Sequence, residues 1–291
     1  MRVCILGGGL CGLVAALHLS ESSEVTLLER EKDPGGCLSS YRLDGAWVER
    51  FYHHCFSGDS HLLSLLSKIG LSDRVEWLRG TTGSFADGKI YPLNTPLEIL
   101  RYPYLNIFDK ARLALFTQRA RRQRLEDLDM MTARDFIVDR LGEKIYSQFF
   151  RPLLMSKFGD RENDVSAGWL VSRVAIRSNL GLSGERLGYL KGGFHLLIER
   201  LAEIASKQGC SIEAGTPATR MERKDGGWAV NGTRYDRVLS TIPPQEVTRI
   251  GGPELPALPD QGAACMTLGL DRDVTDGIYW LNMKDPAPYG A

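Results

Sequence analysis

The chain opens with the stretch RVCILGGGLCGLVAALHLSESSEVTLLE, residues 2–29. The apolar run 3–6 is typical of a strand that is buried on both faces. A glycine-rich turn and the helix-forming run 13–19 follow it, and residues 25–28 predict a second strand that ends on Glu29. Strand, glycine turn, helix, strand and terminal acid, in this order, make up the dinucleotide-binding fingerprint G-x-G-x-x-G. The stretch therefore predicts that an α/β nucleotide-binding unit begins this chain.

Each glycine of the fingerprint has its own physical task. Gly7 allows the tight turn, Gly9 lets the backbone approach a pyrophosphate, and Gly12 lets the helix press on the sheet. The N-terminus of the helix adds free N–H groups and a partial positive charge. Glu29 lies 22 residues after Gly7, close to the spacing of about 20 expected for the acid that binds a ribose. An acid at this position disfavours a 2′-phosphate, so the predicted ligand is FAD or NAD rather than NADP.

Length, composition and charge limit the class of protein. With 291 residues the chain is longer than one small core usually requires, so we expect two domains. A hydrophobic content of 43% and a formal net charge of zero fit a globular protein without a general attraction for nucleic acid. Six scattered cysteines, no recognisable signal peptide and no apolar run of about 18 residues lead us to expect a cytoplasmic protein without a membrane span.

A second glycine pair follows Glu29. Pro34 and Gly35-Gly36 predict a bend whose small residues let the backbone pass close to another group. This stretch resembles the second signature of the flavin amine oxidase superfamily, where an acid, a short spacer and a Gly-Gly pair run the chain along FAD. The superfamily includes monoamine oxidases, protoporphyrinogen oxidases, phytoene desaturases and UDP-galactopyranose mutases. Most members place an arginine after the pair, whereas this chain has Cys37.

The resemblance implies a fold and a cofactor. It implies an α/β chain with a Rossmann-type, GR2-like FAD-binding domain, over 1–80 plus 187–250, and an inserted, largely helical substrate domain, over 81–186 plus 251–291. The strand 236–243 matches the superfamily's D-x-V-x-x-T-x-P and, with the early glycine pair, favours FAD over NAD. The residues expected to bind FAD are Gly7, Gly9, Leu10, Cys11, Gly12, Glu29, Arg30, Gly35, Gly36, Cys37, Leu38, His54, Ala218 and Thr241. Relatives also carry a C-terminal Gly-Asp step, so we expect this chain to be incomplete at its C-terminus.

Histidines 53 and 54 are adjacent. Neighbours on a strand point to opposite sides, so this pair does not suit one metal ion, and no metal site is predicted. A solvated pair on a turn is the simplest interpretation. However, His54-Cys55-Phe56 resembles the His-x-Phe step that UDP-galactopyranose mutases carry beside the flavin ring. The resemblance implies that His54 lies near the flavin.

A positively charged stretch follows in the second half of the chain. Lys157-Phe158-Gly159 and the segment 173–177 resemble the substrate-side segment of UDP-galactopyranose mutases. The candidates that the resemblance offers to an anionic substrate are Lys157, Arg173 and Arg177. On a helix Arg173 and Arg177 share one face, and Arg151 joins them if the intervening loop folds back. Composition alone would make all of them surface charge, and no catalytic base is assignable.

Local patterns complete the sequence-based interpretation. Asp44-Gly45, Asp87-Gly88 and Asn231-Gly232 predict tight hairpin turns, and the runs 264–270 and 277–280 predict further strands. The helical stretch 106–124 carries Lys110, Arg112, Arg119, Arg121, Arg122 and Arg124. This basic segment fits either a solvated face or peripheral contact with anionic lipid or another anionic partner.

Three functional hypotheses follow. The first is an FAD-dependent oxidoreductase that transfers a hydride at flavin N5 to or from an anionic small molecule. The second is a mutase-like isomerase that acts on a nucleotide sugar without net redox change. The third is a non-catalytic FAD- or nucleotide-binding module. Neither the substrate nor the oligomeric state follows from the sequence.

Overall fold

The structure is a computed structural model that describes residues 1–120, 122–177, 185–256, 262 and 264–283, without the side chains of 176, 177 and 185. The chain divides into two compact units. The first unit comprises Met1–Cys55, Asp59–Glu76 and Gly188–Gly269. The second unit comprises Phe56–Gly58, Trp77–Leu187 and Leu270–Ala291. That the first unit binds FAD and the second binds substrate stays a prediction.

The strands of the described residues are β1 (Arg2–Leu6), β2 (Glu24–Leu28), β3 (Ser40–Leu43), β4 (Ala46–Glu49), β5 (Cys55–Phe56), β6 (Val75–Gly80), β7 (Thr82–Ala86), β8 (Lys89–Pro92), β9 (Glu185–Leu190), β10 (Ser211–Glu213), β11 (Met221–Lys224), β12 (Gly227–Val230), β13 (Thr233–Tyr235), β14 (Arg237–Ser240) and β15 (Trp280–Met283). The α-helices are α1 (Leu10–Leu19), α2 (Ser60–Lys68), α3 (Pro96–Arg101), α4 (Ile107–Ala120), α5 (Ala133–Leu141), α6 (Glu143–Ile145), α7 (Arg151–Phe158), α8 (Ala167–Arg177), α9 (His195–Lys207) and α10 (Pro244–Arg249). Tyr146–Phe150 forms a π-helical turn.

A parallel sheet in the order β10-β2-β1-β14 forms the centre of the first unit. Because β1 lies between two neighbours and is covered on both faces, its apolar residues 3–6 are buried, as the sequence predicts. Side chains of α1 and α9, among them Leu13 and Leu197, pack on one face. The three-stranded sheet β11-β12-β13 and α10 supply the core on the other face. The first unit is therefore a three-layer α/β structure.

The second unit has a helical core. Its largest fully buried side chains include Phe136, Ile137, Tyr146 and Leu154, which come from α5, the π-helical turn and α7. A small sheet in the order β15-β7-β8 belongs to the same unit, with β15 parallel to β7. The helical stretch predicted over 106–124 forms α4 only over Ile107–Ala120, and α6 passes directly into the π-helical turn.

The three predicted hairpins are confirmed by pairing and by backbone angles. Both residues of each turn have positive φ, as a type I′ turn requires: Asp44 and Gly45, Asp87 and Gly88, and Asn231 and Gly232. The strand predicted over 264–270 is wrong. Met266, Leu268 and Leu270 remain exposed there, because no described strand lies beside them to complete a ladder. The strand predicted over 277–280 begins only at Trp280.

Within the described ranges, no helix combines the length and the apolar content that crossing a bilayer requires.

Asp109, in the first turn of α4, lies in an environment that should make the stability of the fold depend on pH. Lys144 Nζ lies 2.9 Å from Asp109 Oδ2, and this hydrogen bond, with the backbone N–H of Asn106, holds the pKa of Asp109 below its ordinary value. A carboxyl with a lowered folded pKa stabilises the fold above its unfolded pKa, about 4, and loses that contribution as the pH falls through the folded value. We expect Asp109→Asn to melt at a lower temperature than the parent protein at pH 6. The difference between the two melting temperatures should shrink as the pH falls below about 4. Thermal melts from pH 2 to 7 measure this, and a constant difference at every pH would contradict it.

Candidate functional site

The turn after β1 is held from two sides. Gly7 N–H donates to Leu28 O at 2.9 Å, and Thr241 Oγ1 donates to Leu6 O at 2.9 Å. A Cβ on Gly7, which has φ +102°, would meet Thr241 Oγ1 at 2.7 Å. A Cβ on Gly12 would lie only 1.9 Å from Gly7 O. Glycine at position 12 is therefore required by packing of α1 against the turn, and Thr241 at the end of β14 closes the turn.

Gly9 differs from Gly12 because its position has room for a side chain. It is the N-terminal cap residue of α1, and a Cβ there would make only an ordinary contact, 3.8 Å from Gly36 Cα. Packing among the described residues thus does not require glycine at this position. No side chain among the described residues caps α1, and its first turn contains no acid. The first-turn N–H groups of α1, beside Leu10 and the exposed Cys11, therefore have no capping side chain among the described residues, and such a helix end carries a partial positive charge.

The second glycine pair packs against this turn. Gly35 N–H donates to Gly8 O at 2.9 Å, and a Cβ on Gly36 would come within 3.1 Å of Gly9 Cα. The close backbone approach predicted for Gly35-Gly36 is confirmed. After it, Cys37 is exposed and Leu38 is buried in the core of the first unit. The two glycine segments, distant in sequence, thus form one side-chain-free cradle.

Glu29 is buried to 8% exposure next to that cradle. Its Oε2 accepts a hydrogen bond of 2.6 Å from Gly8 N–H, and its Oε1 accepts one of 2.9 Å from Glu31 N–H. An ionised carboxylate accepts about four hydrogen bonds, so about two acceptor positions remain. Arg30 does not share this environment, since its exposed guanidinium pairs with Glu31 at 3.2 Å. Glu29 is therefore held in place by backbone donors, with capacity left for hydroxyl groups of a ligand.

The segment that contains Ala218 is attached to the same strand end. Thr216 N–H donates to Glu29 O at 2.8 Å, and Gly215 N–H donates to Glu31 O at 2.7 Å. Ala218 itself is half-buried against the core cluster that includes Leu28. The structure therefore brings the predicted residues of the turn, the ribose acid, the second glycine pair, Ala218 and Thr241 together within the first unit.

His54 lies in an aromatic group of the first unit. Its ring centroid is 6.5 Å from that of Tyr52 and 6.3 Å from that of Tyr189. The neighbouring His53 Nδ1 lies 2.8 Å from Phe51 O. Among the described residues, no group of three or more His, Cys, Asp or Glu side chains is placed to hold a metal ion. The position of His54 beside a flavin stays a prediction.

In the second unit, two of the predicted cations converge on one indole. Lys157 Nζ, in the last turn of α7, and Arg173 Cζ, on α8, each lie 5.7 Å from the Trp169 ring centroid. Phe158 packs edge-on against the same ring at 4.9 Å. Sequence reasoning missed Trp169 as a site residue, although its position four before Arg173 on a helix is the signal that would have found it. The side chain of Arg177 lies outside the described part of the structure.

Arg151 does not join this group, contrary to the sequence-based suggestion. Its Nε donates to Glu162 Oε1 at 2.9 Å, and the side chain of Glu162 is 7% exposed. This carboxylate raises the pKa of Arg151 further. Glu162 is buried and needs a cation, so it holds Arg151 in a structural ion pair.

The contrast between Gly12 and Gly9 yields a stability prediction. We expect Gly12→Ala to reduce the free energy of unfolding by about 1–3 kcal/mol or more, because its Cβ would overlap a backbone oxygen that has no free rotamer to relax into. Gly9→Ala should cost less than about 1 kcal/mol, the scale of a change at a helix cap. Chemical denaturation of the ligand-free variants measures both. Equal losses would show that the two glycines serve the same role.

Comparisons with known proteins agree with this geometry. A sequence model of the family described as flavin containing amine oxidoreductase matches residues 10–263. Coproporphyrinogen III oxidase of Staphylococcus aureus is 26% identical over 252 residues, which is 74% of this chain and 53% of that protein. 15-cis-Phytoene desaturase of Synechococcus elongatus is 32% identical over 79 residues, 26% of this chain and 17% of that protein.

Solved structures show the same fold. A putrescine oxidase variant matches with a TM-score of 0.65 and 18% identity, over 87% of this chain and 60% of that one. A fatty acid isomerase of P. acnes matches with a TM-score of 0.66 and 19% identity, over 86% and 60%. The chain thus spans about half to three-fifths of the length of these longer matches. Because the family model covers most of its residues, this protein belongs to the family of flavin-containing amine oxidoreductases, which confirms the resemblance, the fold class and the FAD cofactor predicted from the sequence.

Proposed function

We propose that the first unit holds the ADP half of FAD and that the chain is part of an FAD-dependent oxidoreductase. The observation that carries the proposal is the cradle of Gly9 and Gly35-Gly36, which is open at the N-terminus of α1 although packing alone does not require glycine at position 9. A backbone surface without side chains beside a helix N-terminus suits a pyrophosphate. The chain spans only about half to three-fifths of the length of these relatives, so the whole activity is part of this proposal.

Each residue near the cradle has a proposed task. The N–H groups of the first turn of α1 face the pyrophosphate, and Glu29 accepts hydrogen bonds from ribose hydroxyls with its remaining acceptor positions. The backbone at Ala218 contacts the adenine, and Thr241 keeps the glycine turn closed. When bound, FAD supplies hydride transfer at its flavin ring. The protein residues orient the cofactor, as expected where the cofactor carries the chemistry.

FAD retention tests the roles of Glu29 and Gly9. We expect Glu29→Ala to weaken FAD binding by about 1.5–3 kcal/mol, the scale for lost hydrogen bonds to a charged group. Gly9→Ala should also weaken it, while its ligand-free melting temperature stays close to that of the parent protein, because its Cβ enters the ligand space and not the core. Titration of the apoprotein with FAD measures both. Unchanged affinity in both variants would remove the cradle from the cofactor site.

The identity of the nucleotide has a direct test. The compound released on denaturing the purified protein should show the absorption bands of a flavin. A released compound without these bands, or tighter binding of NAD than of FAD, would contradict the proposal.

The second unit offers a site for an anionic group. Lys157 and Arg173 place two exposed positive charges around Trp169, and a guanidinium with an ammonium suits a carboxylate or phosphate. We propose that these residues bind the anionic part of a small-molecule substrate, with Arg177 as a further candidate. The ordinary alternative is a solvated surface that carries no ligand.

A nucleotide-sugar isomerase is the second candidate. The observation that favours it is the indole of Trp169 beside two cations, since a planar ring near positive charge suits both the base and the phosphates of a nucleotide. A fatty acid isomerase of P. acnes has the same fold, so this fold also accommodates an isomerase. Turnover that needs a reduced flavin but consumes no net oxidant would favour this candidate, and a chain that binds FAD without any turnover would favour a non-catalytic module.

Variants of Arg173 test the anion site. With coproporphyrinogen III, the compound named for the Staphylococcus aureus relative, we expect Arg173→Ala to raise KM by about 10–100-fold with little change in flavin content, as for a lost charged hydrogen bond. Arg173→Lys should restore little of the loss if the contact is bidentate. Arg220→Ala is the matched control, because Arg220 is exposed and pairs only with Glu222 on the surface of the first unit. Kinetics equal to the control would leave Arg173 as surface charge.

We also propose that the basic segment 106–124 makes peripheral contact with an anionic membrane. The segment contains six basic residues and a single acid, Asp109, which is buried. Membranes with anionic lipids attract such clusters by about 1 kcal/mol per cation near the surface.

A further inference from the structure

The inward face of α4 packs into the core of the second unit. Leu113, Phe116 and Ala120 are 6%, 7% and 1% exposed, and they pack in the core cluster of that unit. Asp109 also points inward, where it pairs with Lys144 at 2.9 Å. These positions form one stripe at helical spacing, so the opposite face of α4 points away from this core.

The outward face of α4 is also largely apolar, with Gln118 as its exposed polar residue. Ile107, Phe108 and Leu115 are 61%, 77% and 46% exposed, and the exposed Ala111 and Ala114 lie between them on the same face. A solvated helix normally presents charged or polar residues here. Phe108 therefore holds a large aromatic ring in water at a position where a polar residue would cost nothing in packing.

The short helix α3, which precedes α4 in the chain, also carries exposed apolar side chains. Leu97 and Leu100 are 56% and 50% exposed, and they lie three apart, on one side of α3. Lys110 Nζ donates to Leu100 O at 2.7 Å, which fastens the end of α3 to the first turns of α4. Single exposed apolar side chains are common on protein surfaces, but here several occur together on two connected helices.

Positive charges edge the apolar face. Viewed along α4, Arg112 and Arg119 lie on one side of it and Lys110 on the other. Arg112 and Arg119 are exposed, and the one acid of α4 is Asp109, which is turned inward. An apolar stripe flanked by cations and free of carboxylates is complementary to a surface that is apolar beneath a layer of negative charge.

We propose that the face formed by Leu97, Leu100, Ile107, Phe108 and Leu115 inserts into the headgroup layer of an anionic bilayer. This inference rests on the proposed membrane contact and names the residues and the lipid chemistry that make it. The apolar side chains enter the boundary between headgroups and acyl chains, and the exposed Arg112 and Arg119 reach the lipid phosphates along their long apolar stems. Because Phe108 is the most exposed of these side chains, it makes the largest apolar contribution.

Vesicle sedimentation with the full 291-residue chain tests the apolar contribution. We expect the chain to bind vesicles of phosphatidylcholine with phosphatidylglycerol far more strongly than vesicles of phosphatidylcholine alone. Phe108→Asp should lower the partition coefficient for the anionic vesicles by about tenfold or more, the scale of losing one buried aromatic side chain. Met266→Asp is the matched control, since Met266 is 82% exposed in the first unit, and it should bind like the parent protein.

A charge variant tests the second contribution. Arg119→Gln should lower binding to the anionic vesicles by about fivefold, and added salt should weaken the parent protein more than this variant. Melting temperatures of all variants establish that they fold, which is expected because both Phe108 and Arg119 are exposed.

The possible failures are distinguishable. A parent chain that does not prefer anionic vesicles overturns the membrane contact as a whole. A parent chain that binds them but ignores Phe108→Asp and Arg119→Gln overturns only the assignment to α3 and α4. If the chain is a dimer in solution that Phe108→Asp dissociates, without vesicle binding by either form, the face joins copies of this chain and the inference is wrong. Flavin content is measured separately, so none of these results bears on the FAD proposal.

Discussion

One backbone oxygen constrains the whole first unit. Gly7 O lies where the Cβ of any other residue at position 12 would come within 1.9 Å, so α1 can press on the turn only with glycine there. This close approach directs the N-terminus of α1 towards the turn, and the hydroxyl of Thr241, at the end of β14, donates to Leu6 O beside the same contact. The glycine cradle is thus a consequence of how one helix packs on one strand.

The acid at the end of β2 depends on the same turn. Glu29 is oriented by N–H groups of Gly8 and Glu31, and no cation is needed to keep it in place. Backbone donors are fixed by the turn and the strand, so the carboxylate is oriented before any ligand arrives. The backbone carbonyl of Glu29 also accepts a hydrogen bond from Thr216 N–H, and this bond holds the segment of Ala218 at the same edge of the sheet. Residues from four separate parts of the chain therefore meet because parallel strands end at one edge.

In the second unit, some basic side chains pair with buried acids and others stay exposed. Lys144 and Arg151 pair with the buried acids Asp109 and Glu162, where an unpaired carboxylate would be costly. Lys157 and Arg173 instead lie around an indole and stay exposed, and Arg112 and Arg119 edge an apolar helix face. Composition counts all of these residues alike, whereas the structure shows that Lys144 and Arg151 pair with buried acids.

Local chemistry is what the sequence by itself determined. The apolar run of β1, the glycine spacing, the I′ turns at Asp44, Asp87 and Asn231, and the acid at position 29 each follow from a residue type in its immediate neighbourhood, so they were predictable. The failed strand over 264–270 shows the limit, because a strand also needs a neighbour that the segment itself does not specify. Only the tertiary structure decided that Arg151 serves Glu162, that Lys157 and Arg173 share Trp169, and that Asp109 points inward while Phe108 points out. The physical reason is that a side chain's partner is set by packing between segments far apart in the chain, which no local pattern encodes.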